Sequence, residues 1–485
     1  MKKTQIAIAA ISAMFLAGCY PKLAPIQPPP PKSSTERFFA FEYKPINTTA
    51  PKTKIITLKN GIRVHLLQDK ELPIVNALAM IKTGSIWEPE SKTGLAILTG
   101  AALRSGGTES LKPDALDEKL GAMAASVETS ISEESGSAVL SVMSKNLDEG
   151  LAIFAGVIKN PRFDNERLEL ARARMIDAIK RENDDPQTIA DRELDKLIYK
   201  GSVYGRKATP ETVKSIKRKD VVEFYRKHFQ PSSVILGFTG DFDEAKLTAK
   251  LEKLFGEWKG ATQRQAVEHV KDDHAGGIYI ANKKLPQAVI RAGHLGVKRT
   301  DPDYLAVRVM DEIFGGGSFA SRLTQKIRTD KGLAYSVWAY NLAGRWEPGV
   351  FMMGVETKTK TAGEALSIFM SEIKRIQTEK VGEAELEDAK NSLINSFVFV
   401  FDTPGRILEQ RMIIDYYGMP VDYLETYRDK IMKVTADDVI AAANKHLRPK
   451  EMKIVAVGDE DGLSEQFKTF GETRKIVLKD YSASH

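Results

Sequence analysis

Cysteine is almost missing from this chain. Cys19 is the only one in 485 residues, which excludes disulfides within the chain and makes a structural thiol an unsupported reading. Apolar runs of membrane-spanning length are also lacking: Ile6 to Leu16 is too short for a stop-transfer helix. Histidine is scarce. Of seven, only His269 and His274 lie close together in sequence, and a spacing of five does not put them on one helical face. Gly276-Gly277 follows at once, so that stretch reads as a solvated linker. Neither sign of charge dominates. Lys and Arg number 71 against 65 Asp and Glu, a formal charge of +6. That is too even, and too scattered along the chain, for a nucleic-acid-binding protein.

What is present begins with Lys2 and Lys3 ahead of Ile6 to Leu16, a length suited to a signal-peptide core. The run ends in Leu16-Ala17-Gly18-Cys19, which resembles a bacterial lipoprotein processing box. The resemblance implies a cleaved segment 1–18 and an acylated Cys19, anchored by several acyl chains where one would not suffice. Tyr20 in place of Asp implies an outer-membrane destination facing the periplasm. Pro21, Pro25 and Gln27-Pro28-Pro29-Pro30-Pro31-Lys32 then favour an extended tether over 19–53 with little power to bury a core.

The remaining chain is long enough for two well-buried domains, and it repeats itself. Asp220-Val221-Val222, Lys227-His228-Phe229-Gln230-Pro231 and Gly240-Asp241 recur as Asp438-Val439-Ile440, Lys445-His446-Leu447-Arg448-Pro449 and Gly458-Asp459. His446 stands 218 positions after His228, and Leu305 stands 210 after Leu95, so one net insertion of eight separates the halves. A unit near two hundred residues is far too long for a solenoid repeat. The expected division is a first domain over 54–260, a polar linker over 261–275, a second domain over 276–465 and a tail over 466–485.

Each unit reads as α+β. In the first, 75–81, 137–143 and 233–238 are strand-like, and 147–158 and 165–181 are helical, with Asn160-Pro161 as the break. In the second, 277–281, 288–295, 350–355 and 452–457 are strands. Helices between non-adjacent strands favour a mostly antiparallel sheet covered by helices.

The stretch Gly84-Ser85-Ile86-Trp87-Glu88-Pro89, then Thr93-Gly94-Leu95-Ala96-Ile97-Leu98-Thr99-Gly100-Ala101, then Gly106-Gly107-Thr108 resembles the opening of the insulinase, pitrilysin and mitochondrial-processing-peptidase family of zinc peptidases. The resemblance covers about 57 to 459 and implies two αβ-roll domains closing as a clamshell. In active members the helix carries His-x-x-Glu-His, where two imidazoles hold zinc and a carboxylate activates its water. Here those positions read Ile97, Gly100 and Ala101, and the downstream glutamate ligand aligns with Ala178. The chain is therefore expected to bind no zinc of its own. Asp177 and Glu182 stand nearby but read as the solvated face of an amphipathic helix.

The second half keeps what the first lost. Gly315-Gly316-Gly317-Ser318-Phe319-Ala320-Ser321-Arg322-Leu323, followed by Ile327-Arg328 to Ala334-Tyr335, is similar to the family's carboxy-half signature. There an Arg and a Tyr reach a metal site and stabilise the developing oxyanion, and Arg328 and Tyr335 fall on those positions. By the same resemblance Gly315, Gly316, Gly317 and Phe319 face the substrate path. No Gly-Lys-Ser/Thr follows the triplet, which argues against a phosphate loop. Two functions stay open. One is a metal-free subunit whose homologous partner carries zinc and hydrolyses peptides or unfolded segments. The other is an inert peptide-binding or scaffold lipoprotein.

Overall fold

In a computed structural model of the protein, the structure describes residues 50–261, 266–317 and 319–481. The signal-peptide, Cys19 and Pro-rich readings lie outside the described residues, apart from 50–53. No helix of the described residues is long and apolar enough to cross a membrane.

Two six-stranded sheets carry the fold. The first, in order β1-β2-β6-β3-β5-β4, is built from β1 (Lys54–Thr57), β2 (Arg63–Gln68), β3 (Ile74–Ile81), β4 (Ser126–Ile131), β5 (Gly136–Met143) and β6 (Val234–Gly240). The second, in order β12-β7-β11-β8-β10-β9, uses β7 (Gly277–Asn282), β8 (Gln287–Leu295), β9 (Val337–Leu342), β10 (Val350–Lys358), β11 (Lys453–Gly458) and β12 (Thr473–Ile476). β2 runs parallel to β6, as β7 does to β11, and the β6-β3-β5-β4 and β11-β8-β10-β9 ladders are antiparallel throughout. The duplication seen in the sequence is thus a duplication of sheet topology. One expectation is corrected: the described part of the tail, 466–481, is joined to the second domain. Phe467 is fully buried, and β12 adds in parallel to β7.

On one face each sheet is covered by helices of its own half, giving separate cores around Phe154 and Phe238 in the first and Phe314 and Phe369 in the second. On the other face the halves exchange helices. Pro186–Ile198, opened by the Asp185 side chain accepting from Thr188 N and by proline at its first turn, lies on β8 and β11 of the second sheet. Pro404–Tyr417, opened by Thr403 and Pro404, lies on β6, β2 and β3 of the first. Ile189, Leu194 and Met412 are completely buried by this exchange, each worth about 1.5–3 kcal/mol of apolar burial. The halves form a clamshell in which each completes the other's sheet.

The linker is also held more firmly than its composition suggests. His269 Nδ1 lies 2.8 Å from Glu347 Oε1, Val270 N donates to Glu347 Oε2, and Asp272 and Asp273 pair with Arg448 and Lys453. His269 and His274 are exposed, in keeping with a solvated linker, and charged partners of the second half pin the stretch besides.

Candidate functional site

The helix Leu95–Ser105 starts at Gly94, whose φ of 104° suits glycine. Glu88 reaches under it, its carboxylate accepting from Gly94 N and Ala96 N at 2.8 Å each. These bonds satisfy first-turn amides that the helix itself cannot. Burial outweighs them and pushes the Glu88 carboxyl up to about 7.

On this helix Ile97 is half exposed and Ala101 exposed, and Ala178 is exposed on the neighbouring helix Asn165–Arg181. None offers a ligand atom. Gly100 goes further: it is buried, and a Cβ there would stand 2.5 Å from Ile131 N and 2.9 Å from Ser130 C. Thr129 Oγ1 donates to Gly100 O at 2.7 Å, locking β4 onto the helix. Backbone therefore occupies the space that a side chain at position 100 would need. The four positions do not fit zinc.

A cavity of about 690 Å³ opens beside Ile97, between the β4–β5 turn and the β9–β10 loop of the other half. Sequence reading missed its polar groups. Glu133 and Glu134 are both pushed above the usual carboxylate range by burial, and Tyr204 donates to Glu134 Oε1 at 2.8 Å. The available signal was Ser132-Glu133-Glu134-Ser135 between two strands, a common turn composition. Two other groups among the described residues bring three potential ligands together, Asp272/His274/Glu451 and Asp301/Asp303/His446. Arg448 sits within the first and Lys445 against the second, so both are ion-pair networks.

In the second half the helix Tyr304–Phe314 ends at the triplet. Gly315 and Gly316 both donate their N–H to Asp311 O, and a Cβ at Gly315 would meet Ala339 N at 2.8 Å. Close approach to β9, rather than an unusual φ, explains that glycine. Gly315 is buried, while Gly316 and Phe319 are exposed. A π-helical turn over Thr324–Asp330 follows, a deformation frequent at functional sites. It presents Arg328 with its guanidinium carbon 4.5 Å from the Phe319 ring centroid and 4.5 Å from that of Tyr335. Phe319 is 63% and Tyr335 83% exposed. The structure thus brings Arg328, Tyr335 and Phe319 into one outward-facing stack. No hydrogen bond, ion pair or ring contact of the described residues joins it to the helix Leu95–Ser105.

A duplicated α+β clamshell with a helix bare of metal-ligand side chains in one half and an exposed Arg–aromatic stack in the other defines a degenerate peptidase-like architecture. Residues 63–209 match the family model Insulinase (Peptidase family M16), and 215–393 match Peptidase M16 inactive domain. The chain belongs to the insulinase family. It is 24% identical over 429 residues to a probable mitochondrial-processing peptidase subunit beta of Arabidopsis thaliana, covering 84% of this chain and 79% of that protein. It is likewise 24% identical over 411 residues to the non-peptidase homolog YmxG of Helicobacter pylori, covering 83% and 93%. Among solved structures, a peptidase M16 inactive domain from Pseudomonas fluorescens superposes with a TM-score of 0.77 at 24% identity, over 84% of this chain and 98% of that one.

Proposed function

We propose that this chain is the metal-free subunit of a heteromeric zinc endopeptidase of the bacterial envelope, anchored through Cys19. It binds extended peptide or unfolded substrate and supplies Arg328 and Tyr335 to a zinc site held by a homologous partner. The observation that carries the reading is the Arg328 stack. A guanidinium stacked on two rings, with no carboxylate partner among the described residues and facing outward, is a preoriented donor in search of an anionic charge. The chain's own degenerate positions give that donor nothing to act on. Edge strand β4 ends the first sheet and is the candidate for strand addition, which selects backbone over side chains, whereas on β9 Ala339 N and Asn341 N are already taken by Gly315 O and Asp311. The relatives named as a processing-peptidase subunit and as a non-peptidase homologue are compatible with a partnered, inactive chain.

The test pairs the chain with a homologue carrying an intact His-x-x-Glu-His. Tyr335→Phe keeps the ring on which Arg328 stacks and removes only the hydroxyl, and Arg328→Ala removes the cation. Each is expected to leave the heteromer assembled and to lower kcat by about 10²–10³-fold with a smaller change in KM. Lys326→Ala, whose exposed side chain pairs with Asp330 alone among the described residues, serves as the near-neutral control. Full hydrolysis by both active-position variants would replace this reading with the inert scaffold.

A further inference from the structure

The second half has its own cavity, of about 520 Å³, beside the helix Tyr304–Phe314. In the duplication this helix answers to Leu95–Ser105, and Asp311 falls on the register of Ala101. Where the first half has lost its polar side chains, the second has gathered them. Arg299 and Arg308 both line the cavity, and neither guanidinium has a carboxylate oxygen within 4.0 Å among the described residues. Arg308 is largely buried, within hydrogen-bond reach of the Tyr427 hydroxyl and near enough to Asp311 to feel its charge. Arg299 stands near Tyr423, whose hydroxyl burial keeps protonated against the pull of that cation.

A partly desolvated arginine with no carboxylate in contact gains from an anion that joins it directly. The nearby acids contribute charge at a distance but close on neither arginine. Asp311 is occupied by Asn341, which donates to it through both N and Nδ2 at 2.9 Å, and Glu312 accepts from Ser392 at 2.6 Å. Burial also pushes Asp311 up to about 7, which reduces the negative charge it presents. Asn341, which also lines the cavity, has its Oδ1 buried without a hydrogen-bond partner. Flat rings also line it: Phe397 stacks on Tyr427 with centroids 4.1 Å apart and planes 20° apart.

We infer that this cavity is a binding site for a small organic anion, a carboxylate or a phosphate monoester joined to a flat or apolar body, with Arg299 and Arg308 holding the anionic end. The site is separate from the Arg328 stack, so it stands whatever becomes of the peptidase reading.

The full chain, purified in detergent, is titrated calorimetrically with 3-phenylpropionate, phenyl phosphate and the neutral 3-phenylpropionamide. Saturable binding of at least one acid at or below roughly 1 mM is expected, with the amide silent. Which acid binds more tightly tells carboxylate from phosphate. Arg308→Gln and Arg299→Gln should each weaken the acid by about tenfold or more. Arg299 is only half buried, so Arg299→Gln still decides the matter if Arg308→Gln fails to fold. No saturable binding of either acid, equal binding of the amide, or unchanged affinity in Arg299→Gln would each overturn the inference.

Discussion

Gly100 shows how much a single residue can close off. A helical glycine ordinarily costs stability relative to alanine, yet here any Cβ would press into the backbone of Ser130 and Ile131. Gly100→Ala is therefore expected to destabilise the protein by about 1–3 kcal/mol, as overpacking does. Gly121, also helical, has open space where a Cβ would stand, with no heavy atom within 4 Å, and Gly121→Ala should be neutral or stabilise by up to about 1 kcal/mol. Urea midpoints of the two variants check the pair; a Gly100→Ala protein as stable as Gly121→Ala would show that β4 yields. The sequence made the loss of ligand atoms at 97, 100, 101 and 178 legible, because a missing imidazole or carboxylate is visible in the letters. It did not reveal that strand backbone had taken the vacated space, since glycine looks the same whether it is tolerated or required. The same residues predict composition: after dialysis, elemental analysis of the purified chain should find no stoichiometric zinc, and one zinc per chain would refute the metal-free reading.

At the level of elements, the helix Tyr304–Phe314 is joined to β9 through Asp311 and Asn341, fully buried and 5% exposed at most. The folded state raises the Asp311 carboxyl from its ordinary value near 3.8 to about 7, so the native protein binds a proton there that the unfolded chain releases. Its contribution to stability is greatest below pH 4, falls as pH rises through 4 to 7 and levels off above that, on the order of 2–4 kcal/mol in all. Asp311→Asn removes this titration without losing the connection, because Asn341 can turn its amide so that the unpartnered Oδ1 accepts from the new Nδ2. The variant should match the wild type near pH 4 and exceed it at pH 8, a difference that thermal melts across the range will show. Strand and helix existence was readable here: the 288–295 and 350–355 runs became β8 and β10. β12 was not, because Thr-Arg-Lys-Ile carries two exposed charged residues on a four-residue edge strand, the pattern of a solvated tail.

Across the whole molecule, the exchange of Pro186–Ile198 and Pro404–Tyr417 ties the halves into one folding unit. The letters announce where these helices begin, in Asp185-Pro186 and Thr403-Pro404. They cannot say where the helices go, because an amphipathic face has the same periodicity whether it covers its own sheet or another's. The packing supplies the answer: a Cβ on Gly237 of β6 would stand 2.2 Å from Met412 Sδ, so the first sheet has left room for a side chain of the second half. Met412→Ala, changing a residue with no exposed surface, should cost about 2–5 kcal/mol. Since it sits on a second-half helix but fills a first-half sheet, hydrogen exchange should quicken along β6 and β2, and unfolding should remain a single transition. Cutting the chain within 262–265 gives the stronger test. Expressed alone, each fragment lacks the helix that covers one face of its sheet and should be insoluble or aggregated, as exposed apolar sheet faces are. Co-expressed, the two should reassemble into a soluble complex with the circular-dichroism spectrum of the intact chain. A first-half fragment that folds alone as a stable monomer would show that the exchange is an ornament of the fold rather than a condition of it.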